Sequence, residues 1–126
     1  MKQRNGFVSN SSSSSFIVGS KEELTQEGLC EIFGGSEDNH PLSFMINVLS
    51  KFIAQSAKRQ SIEEAKEDFG EDDVPDNVSD MHERFAYVYE LTACSDDGDP
   101  ISNMMYEYQD NFEVVSKDIE IKPIWE

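Results

Sequence analysis

Four residues of this chain carry chemistry that acidic side chains cannot supply: Cys30, His40, His82 and Cys94. Together they would offer two thiolates and two imidazoles to a zinc ion. They stand 10, 42 and 12 positions apart in order, whereas structural zinc sites present ligand pairs a few residues apart. Cys94 as a nucleophile with His82 as its base would need the two to converge in space, and no glycine elbow marks the thiol. Asp96-Asp97-Gly98-Asp99 invites a calcium reading but fits no frame of the EF-hand loop. Acids and glycine are also what a solvated turn and a helix cap require. Gly34-Gly35 lacks a following Lys-Ser/Thr, so no phosphate loop is present. These absences point away from familiar enzyme classes and call for no cofactor and no metal.

Charge is the stronger signal. The 126 residues hold 26 Asp and Glu against 10 Lys and Arg, a formal net charge of -16. Binding nucleic acid or an anionic membrane directly needs clustered bases, so both are disfavoured. The acids concentrate between Glu63 and Glu83, where ten carboxylates meet one base, Lys66. One reading makes this a solvated surface that keeps a small protein soluble. The functional reading takes Glu63, Glu64, Glu67, Asp68, Glu71, Asp72, Asp73 and Asp76 as a partner-binding set that stands in for phosphates and docks on a basic groove. Electrostatic steering would then speed encounter. A third reading, an oligomer that captures a nucleotide, would depend on Lys58-Arg59 near Lys51, the compact basic group.

The elements that must hold these residues follow from periodicity. Ser14 to Gly19 reads as a first strand, and Ser20-Lys21-Glu22-Glu23 as a capping box opening a helix that stops at Gly34-Gly35. Leu42, Met45, Ile46, Leu49, Phe52, Ile53 and Ala57 recur at helical steps and predict the main wall of the core. A break near Gln60 and a restart at Ser61 lead to Gly70, and Gly70 to Asp80 reads as an exposed loop. Phe85, Tyr87, Tyr89 and Leu91 alternate with smaller or polar residues and predict a strand with one aromatic face. Asp99-Pro100 marks the start of a helix bearing Ile101, Met104, Met105, Tyr108, Phe112 and Val115, although Phe112 to Val115 also suits a strand. Tyr106, Tyr108, Met104 and Met105 suit either a core or an interface. Ile119, Ile121 and Trp125 form a last strand, and Pro123 argues for an edge. The expected fold is α+β: a small, mostly antiparallel sheet of about three strands, with three or four helices on one face. Residues 1–13 would be a flexible Ser-rich arm and 14–126 a single domain.

The stretch Arg4-Asn5-Gly6-Phe7-Val8-Ser9-Asn10-Ser11-Ser12-Ser13-Ser14-Ser15-Phe16 resembles an N-terminal signature of small uncharacterised proteins from tailed bacteriophages and some bacteria. The resemblance covers about the first 18 residues. It implies a phage or prophage accessory protein made in a bacterial cytoplasm, a reducing compartment that two buried thiols at Cys30 and Cys94 would also suit. Combined with the charge, it implies a non-enzymatic binding protein, an anti-defence or host-takeover inhibitor that mimics nucleic acid. The partner would be a nucleic-acid-handling protein with a basic groove: a CRISPR or other defence effector, a polymerase or a nuclease. The alternative is a virion-associated structural protein whose serine run is a processing or packaging signal.

Overall fold

The computed structural model describes residues 13–34, 43–94 and 98–124. Its centre is β1 (Ser13–Ser20), in which every residue from Ser14 onward is buried. Consecutive apolar residues at Phe16, Ile17 and Val18 send side chains to opposite faces, so a strand of this kind needs cover on both sides. Phe16 and Val18 join one core with Leu29, Ile53, Tyr89, Leu91, Met105 and Ile121. Ile17 joins a second with Ala65, Phe69, Val78, Met81, Phe85, Val88 and Ile124. The α+β class holds, but helices cover both faces of the sheet rather than one.

Five strands stand in the order β2-β3-β1-β5-β4 among the described residues, and every neighbouring pair is antiparallel. Here β2 is Lys58–Arg59, β3 Tyr87–Cys94, β4 Val114–Val115 and β5 Ile119–Pro123. Two-residue strands leave no periodic trace, which is why about three strands were expected. The last strand is internal in this order. Its partner β4 reaches only Glu120 and Ile121, so Pro123 meets no ladder demand on that side.

The first core lies under α1 (Gln26–Phe33), α2 (Ser43–Ser56) and α5 (Pro100–Glu107), and the second under α3 (Ile62–Phe69) and α4 (Asp76–Arg84). The described helices thus number five. The expected Ser20 cap is overturned: β1 runs through Ser20, and Thr25 caps α1 by accepting from the Gly28 N–H at 3.0 Å. Gly34 ends that helix in the left-handed region, φ 84°. Ser61 and Asp99 cap α3 and α5 as expected. The face expected to carry α5 on to Val115 is cut at Glu107, and Val114–Val115 pairs as β4. Phe112 still reaches the core, its ring edge-on to Phe16 at 5.6 Å between centroids.

Part of the serine run lies among the described residues. Ser13 to Ser15 are the first three residues of β1, opposite Cys94, Ala93 and Thr92, and the Ser15 and Thr92 hydroxyls lie 3.3 Å apart. The helices over Ile17 do not extend to Thr92, which is exposed, so small hydroxyl side chains suit this end of the strand. Residues 1–12 of the expected arm, and His40, Asp96, Asp97 and Trp125, lie outside the described residues.

Candidate functional site

The acidic stretch folds as a helix–turn–helix layer. Ser61 and Glu64 form a reciprocal capping box: the Glu64 N–H donates to Ser61 Oγ at 3.0 Å and the Ser61 N–H to Glu64 Oε1 at 2.8 Å. Gly70, with φ 96°, stops α3 and donates its N–H to the Lys66 carbonyl. After the turn, α4 begins at Asp76. The expectation of a loop from Gly70 to Asp80 is therefore corrected over its second half. The signal for α4 was present in Val74, Val78, Met81 and Phe85, spaced four, three and four apart, but the surrounding acids hid it. Of these, Phe85 precedes β3 and packs in the second core, so the expected four-residue aromatic face of that strand begins at Tyr87 instead.

Helical spacing sorts this layer into an inside and an outside. Ala65 and Phe69, one turn apart, are buried on the sheet, as are Val78 and Met81. All eight acids of the expected set are exposed: Glu63, Glu64, Glu67 and Asp68 on α3, Glu71 to Asp73 in the turn, and Asp76 at the start of α4. On α3, Glu63 stands one turn before Glu67 and Glu64 one turn before Asp68, so like charges line up in two columns. Each such pair opposes helix formation by a few tenths of a kcal/mol. Glu64 offsets this through the cap, and Asp76 sits in the first turn of α4, where the helix dipole favours an anion.

Asp80 and His82 of the stretch serve the fold instead, Asp80 together with the next base, Arg84. The Arg84 guanidinium grips Glu120 of β5 at 2.6 and 2.9 Å and also donates to Asp80 at 2.7 Å, clamping α4 to the sheet. Hydrogen bonds from Arg84 hold both carboxyls below their ordinary range, and those two acids raise the guanidinium's own pKa further. Arg84 also lies over the Phe85 ring, 5.0 Å from its centroid. His82 meets Gln60 Oε1 at 3.1 Å. Burial lowers the His82 pKa, and the charge of Glu63 opposes that shift.

The other candidates disperse. Gln60, the partner of His82, bonds Val88 near the start of β3, whereas Cys94 ends that strand beside Ser102. Cys30 is a buried residue of α1 and donates to Asn47 of α2 at 3.0 Å. Lys58 and Arg59 form one of the two edge strands, with Arg59 stacked 4.5 Å over Tyr87. Asp99 accepts from the N–H groups of Ile101 and Ser102 as the α5 cap. Met105 is fully buried and Met104 and Tyr106 half-buried, while Tyr108 is exposed. No described helix is long and apolar enough to cross a membrane. No family model, curated protein or solved structure matches this chain.

Proposed function

We propose that this protein is a phage-encoded, non-enzymatic binding protein that lays its α3–α4 layer on a basic groove of a nucleic-acid-handling host protein and so inhibits it. The observation that carries the reading is the exposure of all eight acids on a single helix–turn–helix unit. Set in a field of -16, they form a distributed anionic surface of the kind that complements a groove built for phosphates. Phage origin and action in the host cytoplasm rest on the N-terminal resemblance. A virion protein shedding its serine run is less well supported, since removing the whole run would take Ser13 to Ser15 out of the central strand.

The test is an affinity capture from bacterial lysate with the intact chain and with Glu63, Glu67, Asp68, Glu71, Asp72, Asp73 and Asp76 changed to amides. A nucleic-acid-handling protein retained by the intact chain alone, and released at least about tenfold when salt is raised to about 0.5 M, is the expected outcome. Equal capture by both forms sinks the reading.

A further inference from the structure

The opposite layer has an unlike exterior. Between the first half of α2 and the start of α5 runs a groove of about 570 Å³, walled by Phe44, Met45, Leu49, Pro100, Ile101 and Met104. Its rim is open: Phe44 is 75% and Met45 58% exposed. Among the described residues of the lining Asp99 is the sole ionisable one, and its carboxylate is engaged in the α5 cap. Nor does α2 itself carry any acid, although acids make up 26 of the 126 residues. Exposed apolar side chains gathered in a concavity mark an interaction site.

The walls define the shape of the occupant. Both are helices and present no strand edge, so an extended peptide would find no ladder partners there, whereas a helix brings its own hydrogen bonds. Met45 and Met104 are flexible and polarizable, as in surfaces that accept varied helices. Charge selects the sequence class. A second copy would bring another -16, and an acidic or anionic partner meets the same repulsion.

We propose that this groove seats an amphipathic helix of a basic partner, with apolar side chains at i, i+3, i+4 and i+7 inserted between α2 and α5 and Lys or Arg facing outward. The basic character rests on the function proposed above; the apolar seat does not. The partner would thus be drawn in by the acidic field and held by the groove.

The test uses the full chain and a fluorescent peptide of about 18 residues, with leucine at those positions and lysine elsewhere, followed by anisotropy in low salt and in about 0.5 M sodium chloride. A Phe44→Ser/Met45→Ser variant changes only exposed side chains and, with its melting curve unchanged, should bind at least about tenfold more weakly in both salts, the loss expected when apolar anchors are removed. A peptide with glutamate in place of lysine should bind more weakly in low salt. Amide substitution of Glu63, Glu67, Asp68 and Glu71 separates the two proposals. If it leaves high-salt binding intact while Phe44→Ser/Met45→Ser abolishes it, the groove stands without the acidic surface. Binding that ignores Phe44→Ser/Met45→Ser overturns the groove, and so does complete loss in high salt. Self-association abolished by the same variant would assign the groove to a second copy. Binding that appears only after removal of residues 1–12 would assign it to this chain. Either result overturns the proposal.

Discussion

The two helical layers pack apolar side chains on opposite faces of one sheet and then present opposite exteriors. Beneath α3 and α4, Phe69, Val78 and Met81 are fully buried, and outside them stand Glu63, Glu67 and Asp76. Beneath α2, Ile53 is fully buried, and outside stand Phe44 and Met45 with no acid on the helix. Inside, each layer answers to packing; outside, nothing about packing dictates either choice. The lesson is that packing fixes the inside of a layer and leaves its outside free: here one exterior is charged and the other apolar, and the two proposals above rest on that difference.

The largest effect should come from crossing that division. Phe69→Ala removes the anchor of the acidic layer and should cost about 3–5 kcal/mol in urea denaturation, whereas Phe44→Ser should change stability by no more than about 0.5 kcal/mol. Comparable losses from both would show that the exposed apolar rim is part of the core and would break the comparison.

A smaller effect isolates the clamp. Because Arg84 depresses the carboxyls of Asp80 and Glu120, their contribution is present above the unfolded carboxylate range of about pH 3.9–4.3 and disappears as pH falls through the lower folded values. Arg84→Met should therefore melt below wild type at neutral pH, with the gap closing in acid. A gap constant from pH 7 to about pH 3 would show that packing over Phe85, rather than charge, ties α4 to the sheet.

The smallest effect sharpens the charged side alone. Burial favours neutral His82, so its ring should titrate below the ordinary value of about 6.5 when followed by NMR. The unfolded chain then binds the proton more readily, and this site's contribution fades as pH drops from about 6.5 through the folded value. Glu63→Gln removes an opposing charge and should move the titration lower still. An upward move would mean that Glu63 does not act on the ring.

Much of the frame was legible in the residues. The Ser61 start, the Gly70 stop and the Asp99-Pro100 start are local rules, and local rules survive folding. The double-sided cover was also written in Phe16-Ile17-Val18, since no strand buries three consecutive side chains on one face, but the expectation of helices on one face passed over it. What escaped was what depends on neighbours distant in sequence. The edge strands Lys58–Arg59 and Val114–Val115 exist only because longer strands receive them. The acidic set was visible as composition, and the fold explains its exposure through Ala65 and Phe69. The groove was not visible, because period identifies Met45 and Ile53 as equally apolar without revealing which of them lacks a covering partner.

The position of β1 also sets a schedule for biosynthesis. Its neighbours are distant along the chain: Ser15 pairs across 77 residues with Thr92, and Ile17 stands opposite Lys122 on its other side. A ribosome must therefore deliver nearly all of this sequence before its first strand gains a second neighbour. Until then Phe16, Ile17 and Val18 lack both cores, and pairing at such separation closes slowly. Chaperone capture of the nascent chain should be strongest in that interval and end once Ile119–Pro123 has emerged.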